Sequence, residues 1–332
     1  MARKVRFGIF ADLHAPSIVY GEERLKEILD GCRKADVDFI IELGDFCNPD
    51  RKGVEPYPLR DKYLNKDRIV KLFNDFEKPT YHVLGNHECD ECDKEVVLKY
   101  YGMDKAYYSF DKGGFHFVVL DNNYYLYKGK EFCYDSGNYY IDGINKNLAY
   151  LPKEQMDWLK NDLAKTKNPS IIFAHNWLNE LDSYYKKEET KKNYEELMQI
   201  MLAAPSKVYM CIYGHTHLDH IFRTNDIWQY TINSASGCWV GTSFDYSGRY
   251  NEEIEKVFES VKYTMVYKDA LYAIIEMDED GATVKGVKSE FIGPTPEELG
   301  VYTHKTEGWN RKNFPVDIKS EIVDRYIAFI NK

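Results

Sequence analysis

Short apolar runs alternate with amphipathic stretches along the first third of the chain. The apolar runs predict four β-strands, at residues 5–10, 39–43, 81–84 and 115–120. The stretches between the first three runs carry apolar residues every three to four positions and predict helices at residues 22–34 and 62–74. Strands separated by helices at this spacing are typical of a largely parallel sheet buried beneath helices.

The alternation continues through the middle of the chain and then gives way to a meander of strands. Pro152 is expected at the first position of a helix in which Met156, Leu159 and Leu163 share one face. Another helix is predicted at 194–202, and further strands at 171–174, 208–213, 227–232, 272–277 and 283–288. The last two strands form a hairpin by their alternation and their turn. A closing helix is predicted near residues 318–330, packing on the body through Ile318, Ile322, Val323 and Tyr326.

These elements predict an α/β protein in which two sheets pack face to face with helices on the outside. Residues 1–290 are expected to form one catalytic domain. Residues 291–332 are expected to form an extension whose helix packs on that domain. The sequence has no internal repeat, flexible linker or low-complexity tract that would divide it further.

The composition fits a folded protein that does not attract polyanions. Hydrophobic residues make up 44% and charged residues 30% of the 332 positions, and no apolar run approaches the roughly 20 residues of a spanning helix. The net charge of −10 disfavours a nucleic acid polymer as partner. The opening residues lack the pattern of a signal peptide, so we expect a cytoplasmic protein with reduced cysteines and no membrane contact. The oligomeric state is not indicated.

Five short polar motifs stand where a predicted strand ends. They are Asp12-Leu13-His14, Gly44-Asp45, Gly85-Asn86-His87-Glu88, His175 and Gly214-His215-Thr216-His217. The carboxyl ends of parallel strands meet at one edge of a sheet, so we expect these loops to converge on one crevice.

The residue types in these motifs suit metal ions. Carboxylate, amide and imidazole ligands without thiolates fit Mn, Fe or Zn. One aspartate between two ions can bridge them, and Asp45 is the natural candidate. Each motif alone is weak, and His175 taken alone is more readily a packed core histidine than a ligand. Their conjunction at strand ends, which uses five of the nine histidines, favours a metal site.

From Arg6 to about Leu218 the chain resembles the calcineurin-like metallophosphoesterase superfamily. The family motifs D-x-H, G-D, G-N-H-[DE], a lone H and G-H-x-H all occur here in the family's order. The resemblance implies a four-layer α/β/β/α sandwich of two mixed β-sheets flanked by helices. It also implies two divalent or trivalent ions, with Asp12, His14 and His217 on the first, Asn86, His175 and His215 on the second, and Asp45 between them.

The chemistry implied by the resemblance is hydrolysis of a small phosphodiester or phosphomonoester. Two ions clamp the phosphate and generate a bridging hydroxide that attacks phosphorus in line. His87 would lie just outside the metals and protonate or stabilise the leaving oxygen. Asn48 occupies the position of the tyrosine ligand of purple acid phosphatases. The resemblance is therefore closer to the cyclic-nucleotide phosphodiesterase and nucleotide pyrophosphatase branches.

Residues that contact the substrate are harder to identify. Tyr124, Tyr125 and Tyr127 belong to a tyrosine-rich stretch and could stack a ring of the substrate, or they could simply pack their own loop. His220 follows the last motif and is a weaker candidate. Two other classes stay open, namely a catalytically idle metal-binding module on the same fold and a metal-dependent nuclease.

Overall fold

The computed structural model describes residues 3–49, 62–135, 149–178, 188–241, 245–301 and 317–329. Its strands are β1 Lys4–Phe10, β2 Phe39–Glu42, β3 Thr80–His82, β4 Tyr108–Lys112, β5 Phe115–Val119, β6 Tyr124–Tyr127, β7 Lys130–Cys133, β8 Ser170–Ala174, β9 Val208–Tyr213, β10 His220–Thr224, β11 Ile227–Thr231, β12 Gly237–Trp239, β13 Thr264–Val266, β14 Ala273–Asp278, β15 Gly281–Gly286 and β16 Arg325–Ala328. Its α-helices are α1 Gly21–Lys34, α2 Lys66–Asn74, α3 Lys94–Tyr101, α4 Lys153–Lys165, α5 Glu188–Leu202 and α6 Glu252–Val257. Within the described residues, short 3-10 helices lie at His87–Cys89 and Glu259–Tyr263.

Two six-stranded mixed sheets form the centre of the fold. The first has the order β16-β15-β14-β1-β2-β3 and the second the order β10-β11-β9-β8-β5-β4. In the first sheet β1, β2 and β3 run parallel, while β14 pairs antiparallel with β1. In the second sheet β5, β8, β9 and β11 run parallel. Two small antiparallel ribbons, β6–β7 and β12–β13, stand apart from the large sheets.

Aromatic side chains fill the space between the two sheets. Phe7 of β1 stacks on Phe39 at 4.9 Å and meets the edges of Phe117 and Phe173 from the second sheet at 5.8 and 6.2 Å. All four are buried, and each such burial contributes roughly 1.5–3 kcal/mol relative to exposure. This layer fixes the two sheets against each other.

Helices cover the outer face of each sheet, which completes the four layers predicted from the sequence. Helix α1 buries Leu25, Ile28 and Leu29 in a core cluster that includes Ile40 of β2. On the other side, α4 buries its predicted face in a cluster with β8 and β9. The predicted α/β class is confirmed. Among the described residues no helix is both long and apolar enough to cross a membrane.

Most predicted elements lie within a few residues of their predicted bounds, and the C-terminal one is wrong. The predicted helix near residues 318–330 is a loop followed by the strand β16, which pairs antiparallel with β15 at the sheet edge. Ile327 is buried against the inter-sheet core, while Val323 and Tyr326 are exposed. Strand alternation, not a helical face, therefore buries this segment.

The predicted domain boundary at residue 290 stays a prediction. Pro152 precedes helix α4 as its cap instead of occupying its first turn.

Candidate metal centre

The five motifs lie beyond the ends of β1, β2, β3, β8 and β9, and backbone hydrogen bonds hold their loops together. The amide of Asp12 donates to the carbonyl of Gly44 at 3.0 Å, and the amide of His14 donates to the carbonyl of Asp45 at 2.8 Å. Within the second sheet, the amide of Gly214 donates to the carbonyl of His175 at 3.1 Å. Between the two sheets, the amide of His215 donates to Oδ2 of Asp12 at 2.9 Å. The loops that carry the motifs are therefore held together. This agrees with the expectation that loops at the carboxyl ends of parallel strands converge on one crevice.

Five of the seven predicted ligands have left-handed backbone conformations. Asp12, His14, Asp45, His215 and His217 have φ between 47° and 65°. L-residues other than glycine rarely adopt this region, and such residues cluster at functional sites. At Gly44, with φ of 92°, a Cβ would come within 2.6 Å of the His175 ring. The backbone thus turns sharply beside each ligand and aims the side chain inward.

Asp12, His14 and His217 form a first group of converging donor atoms. The Nε2 of His217 lies 3.2 Å from Oδ1 of Asp12 and 3.2 Å from Nε2 of His14. The Nε2 of His14 lies 3.8 Å from Oδ1 of Asp12. One carboxylate and two imidazoles thus point at a common centre.

Asp45, His175 and His215 form a second group. The Nε2 of His175 lies 3.1 Å from Oδ2 of Asp45 and 3.2 Å from Oδ1 of Asn86. The same Oδ2 of Asp45 lies 3.7 Å from Nε2 of His14 in the first group. Asp45 therefore faces both groups with one oxygen, which is the placement expected of a bridging ligand.

The donor set fits a pair of metal ions. Nδ1 of His175 hydrogen-bonds the carbonyl of Leu43 at 2.7 Å, and Nδ1 of His217 hydrogen-bonds the carbonyl of Gly237 at 2.8 Å. A carbonyl only accepts, so these bonds place the proton on Nδ1 and leave the lone pair of Nε2 facing the centre. Burial alone would raise the carboxyl pKa of Asp12 and Asp45, but the neighbouring histidines lower both pKa values. Burial would lower the pKa of His175, but the charge of Asp45 raises it to about 9. A metal would therefore displace a proton from Nε2 of His175, because ionised carboxylates and neutral imidazoles are the forms that bind metals.

His87 lies at the rim of this centre. Its ring is 5.4 Å from the ring of His14, and its side chain is 40% exposed. Its backbone amide donates to Oδ1 of Asp45 at 2.8 Å. Nδ1 of the ring lies 2.5 Å from Oδ2 of Asp90. Burial would lower the pKa of His87, but the charges of Asp45 and Asp90 raise it to about 10.

Sequence reasoning missed two carboxylates that organise the site. Glu88 accepts hydrogen bonds from the amides of Gly85, Asp45 and Phe46 at 2.6–2.9 Å, so it joins two ligand loops. Asp90 holds the ring of His87. The sequence signal for Asp90 is its position three residues after His87, which places two side chains on one face of a helical turn.

The candidate substrate contacts have mixed placements. Tyr125 is buried and stacks on Phe132 at 5.4 Å within the β6–β7 hairpin, so it packs its own loop. Nζ of Lys94 lies over the ring of Tyr124, 4.3 Å from its centroid, in a cation–π contact. Tyr127 is exposed at the hairpin turn. His220 begins β10 and stacks on Phe222 at 5.5 Å. The roles of Tyr124, Tyr125, Tyr127 and His220 as substrate contacts stay predictions.

Two plant phosphatases and a rice diphosphatase are similar in sequence. Purple acid phosphatase 23 of Arabidopsis thaliana is 27% identical over 247 residues, which are 64% of this chain and 47% of that protein. Purple acid phosphatase 13 of the same plant is 24% identical over 52% of this chain and 29% of its own length. The chain therefore spans less than half of either phosphatase. The manganese-dependent ADP-ribose/CDP-alcohol diphosphatase of Oryza sativa subsp. japonica is 24% identical over 64% of this chain and 73% of that protein.

Solved structures share the fold at lower identity. A dimetal phosphatase from Danio rerio superposes with a TM-score of 0.58 at 17% identity, over 88% of this chain and 99% of that one. The anchor protein GAP50 of the Plasmodium inner membrane complex superposes with a TM-score of 0.52 at 14% identity, over 99% of this chain and 90% of that one. The family model described as Calcineurin-like phosphoesterase matches residues 5–219, a span that contains every candidate ligand described above. The chain belongs to the calcineurin-like phosphoesterase family.

Proposed function

We propose that this protein hydrolyses small phosphate esters at a dinuclear metal centre. The first ion would be held by Asp12, His14 and His217, the second by Asn86, His175 and His215, with Asp45 between them. The observation that carries the proposal is the position of Asp45 Oδ2, which faces His175 Nε2 at 3.1 Å and His14 Nε2 at 3.7 Å. Membership of a family of metal-dependent phosphoesterases supports the same reaction class.

Bound ions would supply positive charge for the phosphate oxygens and an activated water as the nucleophile. The chain's own contribution is orientation and proton transfer. Asp90 holds Nδ1 of His87, so Nε2 is the atom that would give a proton to the leaving oxygen. The exposed rim position of His87 supports this role, because a leaving group would depart toward solvent.

We propose a small diester or a nucleotide-linked diphosphate as the substrate. The D-x-H first motif supports this class, and so does the activity in the name of the rice relative, an ADP-ribose/CDP-alcohol diphosphatase. The oxygen and nitrogen ligands accept Mn, Fe or Zn. Mn²⁺ is the first ion to test, because the name of the rice protein specifies manganese.

Two alternatives make different predictions. A catalytically idle binding module would bind two ions without turnover, yet this chain keeps all the predicted ligands and His87. A nuclease would need a basic surface to hold a polyanion, and the net charge of −10 opposes it.

Chelator-treated protein restored with Mn²⁺ should hydrolyse bis-p-nitrophenyl phosphate faster than p-nitrophenyl phosphate. Metal-dependent turnover that favours the diester supports the proposal. Preference for the monoester would replace it with a small-molecule phosphatase. Two bound ions without turnover of either ester would favour the binding module, and salt-sensitive cleavage of DNA would favour the nuclease.

A further inference from the structure

We propose that Tyr134 is a positioning residue that fixes the ring of His87 through Asp90. This inference rests on the proposed role of His87 as proton donor. It assigns a catalytic purpose to the segment after the β6–β7 hairpin, which carries none of the predicted ligands.

The three side chains form a continuous chain of hydrogen bonds. The hydroxyl of Tyr134 donates to Oδ1 of Asp90, and Oδ2 of the same carboxylate lies 2.5 Å from Nδ1 of His87. Tyr134 has 0% of its surface exposed, while His87 stands at the rim. A buried phenol therefore holds one oxygen of Asp90 and leaves the other for the histidine. With both oxygens engaged, the carboxylate cannot rotate without breaking a bond.

The tyrosine is itself held by the backbone on both sides. Its amide donates to the carbonyl of Asn123 at 2.8 Å, and the side-chain amide of Asn123 donates to the carbonyl of Leu84 at 2.7 Å. Leu84 directly precedes the loop that carries His87. On the other side, Asp135 accepts the amide of Lys94 at 2.5 Å at the start of helix α3. Hydrogen bonds therefore connect Tyr134 and Asp135, at the base of the hairpin, to the residues before and after the segment that carries His87 and Asp90.

The hydrogen bonds from Tyr134 to Asp90 and from Asp90 to His87 matter because proton transfer depends on the position of the histidine ring relative to the leaving oxygen. A displacement of about 1 Å in a catalytic group can cost on the order of 10²-fold in rate. The Tyr134→Phe variant removes one hydroxyl and keeps the ring, so it should loosen Asp90 without opening a cavity. We expect a loss of roughly 10-fold in kcat for an ester with a poor leaving group. This is less than the roughly 10²–10⁴-fold of a whole general-acid contribution, because His87 itself remains. An ester whose leaving group needs no proton should lose little.

The test compares two methyl aryl phosphodiesters on the Mn²⁺-loaded full chain, one with a p-nitrophenolate and one with a phenolate leaving group. The variants are Tyr134→Phe, Asp90→Asn, His87→Ala and the double variant Tyr134→Phe/His87→Ala. Tyr108→Phe is the matched control, since its hydroxyl also makes one hydrogen bond, to the carbonyl of His82 at 2.9 Å, away from the centre. Bound metal is measured for every variant.

The expected result is a selective loss on the phenyl ester for Tyr134→Phe and Asp90→Asn, with two ions retained and with no further loss in the double variant beyond His87→Ala. An equal loss on both esters, or loss of metal, would show a structural role and overturn the inference. A normal phenyl-ester rate in Tyr134→Phe beside a defective His87→Ala would overturn the inference alone. A His87→Ala variant without leaving-group dependence would overturn the proposed role of His87 as well.

Discussion

Replacing Arg325 by methionine should destabilise the protein through a single buried carboxylate. Arg325 of β16 donates to Oδ2 of Asp219, and the two side chains are only 16% and 6% exposed. Asp219 also accepts the amide of Val323 at 2.9 Å. Because Asp219 lies two residues beyond His217, the pair joins the last strand of the first sheet to a ligand loop of the second.

The cost follows from the environment of Asp219. Removing one partner of a buried ion pair typically costs about 3–5 kcal/mol, because the other charge stays buried without compensation. Arg325 keeps some hydration, and the amide of Val323 continues to bond the carboxylate. We therefore expect Arg325→Met to lower the free energy of unfolding by about 2–4 kcal/mol.

Urea denaturation of the metal-free protein measures this cost without a contribution from bound ions. A double-mutant cycle with Asp219→Asn should give a coupling energy of at least about 1.5 kcal/mol. Lys285→Met is the matched control, since Lys285 pairs with Asp324 at 3.0 Å near the same sheet edge but the side chains are 66% and 56% exposed. That control should cost less than about 1 kcal/mol. Equal costs for Arg325→Met and Lys285→Met would refute the reasoning.

Two further predictions concern the metal centre and the second sheet. Asp45→Asn should lose bound metal by elemental analysis after dialysis, whereas the exposed control Asp36→Asn should keep it; two retained ions in Asp45→Asn would contradict the bridging role. Burial would lower the pKa of His116, but hydrogen bonds to Asp162 at 2.8 Å and Asp111 at 2.9 Å raise it. This stabilisation is fully present below the unfolded pKa and disappears as pH rises through the folded pKa. His116→Gln should therefore cost about 1 kcal/mol more at about pH 5.5 than at about pH 9 in urea denaturation, and equal costs at both pH values would exclude the effect.

The central strands of both sheets could be predicted well from the sequence, because burial on both faces gives such strands long apolar runs. The strands β1, β5 and β9 lie between other strands and match their predicted runs closely. The ligand loops were predictable for a related reason. Their positions follow from strand ends, and their residue types follow from metal chemistry.

The C-terminal strand was not predictable from its own residues. Ile318 and Ile322 are spaced four apart and both are buried, which mimics one face of a helix. What decides the matter is the free edge of β15, to which β16 pairs from Gly281 to Val284. A short edge strand carries too few residues to display its own period, so its conformation comes from the partner.

The chain of hydrogen bonds behind His87 was also beyond sequence reasoning. Asp90 has a local signal in its spacing from His87, but Tyr134 lies 44 residues from Asp90 along the chain. Its tyrosine-rich surroundings suggested stacking on a substrate, and among these residues nothing marks one phenol as a partner for a carboxylate. Only the folded hairpin brings that hydroxyl to Asp90.

The pairing of β1 with β14 sets the order in which the molecule can be completed during synthesis. Lys4 aligns with Asp278, and Arg6 bonds Glu276 across 270 positions of sequence. Ser234 and Ser236 hold the carbonyls of Asp12 and Leu13 from a similar distance along the chain. Contacts of such separation form late, because a long loop must close before they contribute. A ribosome-bound chain arrested before residue 234 would therefore display Asp12 and His14 without the two serine hydrogen bonds to their loop, and the candidate metal centre would be completed only after residues 234–278 have been synthesised.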